Sequence, residues 1–172
     1  TTVEPDPSST VGRGAIGSVL QNAGLAADVV ESYGENLPFP SGKFDVVYVR
    51  QGLHHAQDLP RMLKEYARVL RAGGVLLACR EHVVDDYSAS LRNFLDSQVD
   101  HQLYGGENAF TLPDYRAAIV GSGLSLAKEL GPFDSAINLH PETPASFEMA
   151  ILASRSGRIL SRILPKDWVI GF

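Results

Sequence analysis

Apolar residues follow two different rhythms along this chain. Residues 44–49 (FDVVYV) and 75–80 (VLLACR) are short, nearly continuous apolar runs, rich in β-branched residues. Runs of this kind suit strands buried on both faces, as in a parallel sheet. Between them, Leu59, Met62, Leu63, Tyr66, Val69 and Leu70 recur at helical spacing and form one stripe. Pro60 falls in the first turn, where its missing N–H costs little. Gly73 and Gly74 supply a C-terminal stop. Strand, helix and strand at this spacing predict a right-handed βαβ crossover.

The flanks are less regular. TTVEP (1–5) reads as a strand end and ADVVES (27–32) as a strand, with a modest helical pattern at Ile16, Val19 and Leu20 between them. Val84, Tyr87, Leu91, Phe94 and Leu95 predict a helix over 83–103, and LPDYRAAIVGS (112–122) predicts another that starts near Pro113. LSLAKEL (124–130) and FEMAILAS (147–154) read as strands. No helical pattern separates them, so they are expected to pair antiparallel. The Pro-rich stretch 131–146 connects them. These elements make a domain of residues 1–154 and a tail of residues 155–172, which packs on the body or forms a homodimer contact.

Composition narrows the function. Of 172 residues, 44% are hydrophobic, enough for one domain with a core. The net charge is −5 with acids and bases interleaved, so no nucleic-acid partner is expected. The single cysteine, Cys79, excludes an internal disulfide framework and points to a reducing, cytoplasmic setting. Cys79 itself reads as a small buried hydrophobe. TTVEPDPSST lacks the cationic and apolar regions of a signal peptide. No apolar run approaches a bilayer-spanning length, so no membrane partner is expected.

The chemistry concentrates at strand ends. The run FDVVYV stops at Arg50, Gln51 and Gly52, followed by Leu53 and the pair His54–His55; VLLACR is followed by Glu81 and His82. Open α/β sheets bind ligands beyond the carboxyl ends of their strands. Histidine titrates near neutral pH, which suits His54, His55 or His82 to acid–base work or to lining a pocket. A helix cap or simple packing explains each equally well. A metal held by the three imidazoles is not expected, because their spacing matches no strong ligand motif.

LPFPSGKFDVVYVRQGLHH, then RMLKEYARVLRAGGVLLA, resembles the class I S-adenosylmethionine-dependent methyltransferases, in the type 11-like branch that reads LPFxDxxFDxVxxxxxLHH and then VLxPGGxL. The resemblance covers residues 1–154 and is densest over 28–82. It implies an α/β, Rossmann-like, doubly wound and mostly parallel sheet that ends in an antiparallel hairpin, with 83–110 as a lid or substrate insertion. It implies S-adenosylmethionine as cofactor and a small-molecule methyl acceptor. Thr1–Glu4 would be the family's second strand, with Glu4 accepting hydrogen bonds from both ribose hydroxyls; a carboxylate is acceptor-only and has two oxygens. Tyr33, Gly34, Glu35 and Asn36 would lie at the adenine. The family's usual Asp falls at Tyr33, so Glu35 or Asn36 would substitute. The backbone of Arg50, Gln51 and Gly52 would receive the amino-acid end, with His54, His55 and His82 on the acceptor side. The family's first strand and Gly-rich loop would precede Thr1, so the expectation is an N-terminally truncated chain whose own activity stays open.

Two other readings compete. A non-catalytic methyltransferase-like scaffold fits the missing loop and Tyr33. An NAD-type module fits the literal GxGxxG at Gly12–Gly17 with Glu31 downstream. That fingerprint needs a strand directly before it, and PDPSST is not one. Tyr87, His101, Tyr104 and the GGENAF turn (105–110) belong to the lid or to ordinary packing.

Overall fold

Five side chains of one helix collect the core. In the computed structural model, which describes residues 1–97, 108–131, 134 and 143–154, the helix α2 runs Leu59–Val69 and buries Leu59, Met62, Leu63, Tyr66 and Val69. This is the predicted stripe. Asp58 caps the helix by accepting the Arg61 amide at 3.0 Å, and Pro60 occupies its first turn. Leu37, Leu53, Ala56, Tyr115 and Ala118 complete the buried cluster.

The strands form three parallel pairs. β1 (Thr2–Val3) pairs with β2 (Val29–Val30), β3 (Phe44–Arg50) with β4 (Leu70–Cys79), and β5 (Val83–Val84) with β6 (Phe110–Thr111). Helix α1 (Arg13–Asn22) connects the first pair, α2 the second, and α3 (Ala89–Asp96) lies between the third; α4 (Leu112–Gly121) follows. Parallel strands joined through helices make an α/β, Rossmann-like layer. Among the described residues no strand joins β1 to β3, and the gap falls where the resemblance puts the family's first strand.

Four segments depart from expectation. Burial alternates along β3 and β4: Val47, Val49 and Leu76 pack on the core, whereas Val46, Tyr48, Val75 and Leu77 are 46–60% exposed. The core they meet is the α2 cluster, which lies on one face only. The Gly73–Gly74 pair does not end α2. The helix stops at Val69, and Leu70 is already extended and paired with Phe44. The glycines instead bend β4: Gly73 has φ +77°, and a Cβ on Gly74 would stand 3.1 Å from the Asp45 carbonyl oxygen. The C-terminal hairpin is not formed. Residues 124–130 adopt no strand, and FEMAILA lies in helix α5 (Pro144–Ala153). A short, mostly apolar run does not distinguish strand from helix by its periodicity. The preceding Thr143, Pro144 and Ser146 decide it, as a capping box with proline in the first turn.

The helix predicted over 83–103 is strand β5 followed by the shorter α3, capped by Ser88 accepting the Leu91 amide. His101, Tyr104, residues 105–107 and the tail 155–172, with its dimer contact, lie outside the described residues. Among the described residues no helix is long and apolar enough to cross a membrane.

The LPF segment is tied to the middle of α2. Glu65 accepts the Leu37 amide at 2.9 Å, while Arg68 donates to the Leu37 and Phe39 carbonyls at 3.0 and 2.7 Å and binds Glu65 with both Nε and Nη2. Phe39 meets Phe44 edge-to-face at 5.1 Å. The helix that builds the core therefore also fixes the loop leading out of β2.

Leu63 is fully buried. Leu63→Ala is expected to lower stability by about 3 kcal/mol through lost transfer energy and a residual cavity. Val46→Thr, on the exposed face, is expected to change it by less than about 0.5 kcal/mol. Urea denaturation of the chain measures both.

Candidate functional site

Parallel pairing puts the carboxyl ends of each pair side by side. Glu4 follows β1, and its amide donates to the Val30 carbonyl at the end of β2 at 3.0 Å. Its Oε1 accepts the Asp6 amide at 2.9 Å; Oε2 has no partner among the described residues. The carboxylate is thus half anchored, with one oxygen left to accept.

The turn after β2 leans on the start of α2. Glu35 Oε1 accepts the amides of Gln57 at 2.8 Å and Asp58 at 3.4 Å, and the Glu35 carbonyl accepts Arg61 Nε at 3.1 Å. Ser32 donates to the Asn36 carbonyl, and the Asn36 amide to the Tyr33 carbonyl. The Tyr33 side chain is exposed. Gly34 sits where a Cβ would stand 2.8 Å from Met62 Cε and the Tyr66 hydroxyl. The turn after β2 therefore meets the backbone that leads from β3 into α2.

At the tips of β3 and β4, Gln51 and Arg80 both hold positive φ, 51° and 58°. Such backbone persists in non-glycine residues only where the surroundings over-determine it. Glu81 supplies that constraint. Its Oε1 accepts the Gly52 amide at 3.0 Å, and its Oε2 accepts the amides of Leu53 at 3.0 Å and His54 at 3.3 Å and meets His54 Nδ1 at 3.0 Å. Burial alone would raise the Glu81 carboxyl, but the bond from His54 and the three amides outweigh it and hold it below the usual carboxylate range.

The short 3₁₀ turn Leu53–His55 carries the imidazoles. His54 is buried, and His82 stacks on it at 4.2 Å between centroids with 24° between planes. His55 lies at 4.2 Å, tilted by 39°. His55 and His82 are exposed. Stacked rings present faces to one another rather than nitrogens to one point; among the described residues no group of three His, Cys, Asp or Glu could hold a metal ion. Asn108 steadies the turn, donating from its amide to the His54 carbonyl and from Nδ2 to the Ala56 carbonyl. Tyr115 donates to the His82 carbonyl at 3.0 Å. Burial, then the charge on Glu81, pushes its phenol up, so it remains a donor.

The structure thus brings Glu81, His54, His55 and His82 together, with Arg50, Gln51 and Gly52 beside them. Arg50 Nη1 donates to Gln51 Oε1 at 3.2 Å, and both backbone groups of Gly52 are engaged, its amide by Glu81 and its carbonyl by the His55 amide. Glu81 carries the most contacts, yet sequence reasoning gave it no role of its own. The available signal was an acid directly before a histidine at a strand end. Asn108 and Tyr115 gave none. At Gly12–Gly17, the amides of Arg13 and Gly14 bond to the Asp6 and Ser8 carbonyls, and the Gly12 amide to Ser8 Oγ. The segment that would cradle a dinucleotide phosphate is occupied by its own preceding turn.

A family model described as a methyltransferase domain matches residues 9–78. Over this segment the chain resembles the class I methyltransferases. Among curated proteins, the chain is 44% identical over 57 residues to the ubiquinone/menaquinone biosynthesis C-methyltransferase UbiE of Xanthomonas campestris, covering 32% of this chain and 22% of that protein. It is 36% identical over 52 residues to the uncharacterized methyltransferase YcgJ of Bacillus subtilis, covering 30% and 21%. The matches therefore span about a fifth of these relatives' length. The crystal structure of YcgJ superposes with a TM-score of 0.56 at 22% identity, covering 91% of this chain and 69% of that chain. The [4+2]-cyclase SpnF superposes at 0.52 with 19% identity, covering 71% and 41%. These superpositions support the Rossmann-like fold.

A carboxyl held low in the folded state stabilises fully above the ordinary carboxylate range, and that contribution is lost as pH falls through the folded value. Glu81→Gln is therefore expected to cost about 2 kcal/mol at neutral pH, from donors left without a full acceptor. The gap between variant and wild type should close as pH falls below the ordinary carboxylate range. Thermal unfolding midpoints across pH 3–7 measure this; a gap constant with pH would contradict it.

Proposed function

We propose that the protein transfers a methyl group from S-adenosylmethionine to a small-molecule acceptor. The supporting observation is the Glu35 tie: its carboxylate bonds to the backbone leading from β3 into α2, so the proposed adenine turn adjoins the segment that follows the imidazoles. Glu4 would hold the ribose through its unpartnered oxygen. The turn of Tyr33, Gly34, Glu35 and Asn36 would hold the adenine, with the exposed Tyr33 ring as a stacking surface. Because the Gly52 backbone is already engaged, the side chains of Arg50 and Gln51 would receive the amino-acid end. His54, His55 and His82 would line the acceptor side. When bound, the cofactor supplies an electrophilic sulfonium, so the protein's main task is in-line positioning of the acceptor.

Isothermal calorimetry with S-adenosylhomocysteine tests this reading. Binding is expected, and Glu4→Ala is expected to weaken it at least tenfold while the unfolding midpoint stays within a few degrees. A folded chain that binds nothing at millimolar ligand would favour the non-catalytic scaffold.

A further inference from the structure

His54 differs from the two imidazoles packed against it. Its side chain is only 3% exposed, whereas His55 and His82 are exposed. Its Nδ1 lies 3.0 Å from Glu81 Oε2. An ionised carboxylate only accepts, so the ring proton on this side is a donor at Nδ1. In a neutral ring the lone pair then belongs to Nε2. Among the described residues Nε2 has no hydrogen-bond partner. Buried polar atoms are nearly always paired, so an orphan acceptor marks a place where a donor arrives.

We propose that His54 takes the proton of a weakly acidic hydroxyl on the methyl acceptor, and that Glu81 is the positioning residue that fixes its tautomer. This rests on the methyl-transfer reading. The acceptor's O–H bond breaks and its proton bonds to Nε2. The oxygen's electron pair takes the methyl carbon, and the pair of the broken carbon–sulfur bond stays on sulfur. One positive charge thus passes from the sulfonium to an imidazolium held against the Glu81 carboxylate. The two oxygens of Glu81 already meet four donors, so this carboxylate is not offered to a cationic acceptor.

Nitrogen-15 imidazole spectra of the chain saturated with S-adenosylhomocysteine test the proposal without turnover. At neutral pH the His54 ring is expected as the Nδ1–H tautomer with an unprotonated Nε2. Phenol, used as a simple hydroxyl probe, should shift His54 Nε2 upfield more than either nitrogen of His55 or His82. Glu81→Gln should mix the two tautomers of His54. An Nε2–H ring in the wild type, or no shift of His54 on adding phenol, overturns the proposal; the wild-type spectra decide even where the variant fails to fold. Calorimetry on His54→Gln separates the two readings. Retained S-adenosylhomocysteine binding leaves the cofactor assignment standing whatever the spectra show, whereas loss of that binding places His54 with the cofactor and overturns its role as the acceptor's base.

Discussion

One carboxylate organises the rim of this protein. Glu81 leaves the end of β4 and gathers three consecutive amides from the turn after β3, together with an imidazole N–H. A carboxylate suits this because it donates nothing and has four lone-pair directions. An amide in its place would turn one end against the backbone donors it has to satisfy. The tie holds two neighbouring strand tips in the positive-φ backbone of Gln51 and Arg80. It also sets His54 in the interior, with the rings of His55 and His82 packed against it. The positions of the candidate acceptor-side groups follow from this contact more than from the strands themselves.

Helix α2 supplies the second constraint, linking core to site. Its apolar stripe gathers the buried cluster, while its polar positions hold the chain that leaves β2. Glu35 meets the approach to its N-terminus, and Glu65 with Arg68 clasps the backbone of Leu37 and Phe39. The Arg68 guanidinium, by its hydrogen bond above all, draws the Glu65 carboxyl below its ordinary range. The clasp is therefore sound at neutral pH and weakens in acid, in the same direction as the Glu81 tie. Leu63 and Leu53, the residue before His54, belong to one buried cluster, so loss of packing around Leu63 would disturb the rim.

A Rossmann-like layer serves many chemistries, and its reaction is set by the groups at the strand ends. Here those groups are a half-anchored acid at Glu4, an exposed guanidinium at Arg50 and a carboxylate-backed imidazole at His54. They suit binding, orientation and acceptance of a single proton. Among the described residues the buried ring offers one nitrogen without a partner, and the carboxylate behind it is already engaged.

The sequence by itself determined the α2 stripe, the parallel strands around it and the strand tips where chemistry gathers. Each is a local pattern, read from spacing and from the residue types that stop a strand. The same local reading misjudged Gly73–Gly74 and FEMAILAS. In the first case, strand pairing with Phe44 overrode a helix stop. In the second, a capping box governed an apolar run whose periodicity was ambiguous. Only the tertiary structure decided the role of Glu81, because its partners lie 27 to 29 positions earlier and meet it through β3–β4 pairing. It likewise distinguished three similar histidines, burying one and exposing two. Burial and hydrogen-bond saturation depend on what the folded chain brings alongside a residue, and no window of neighbouring letters contains that information.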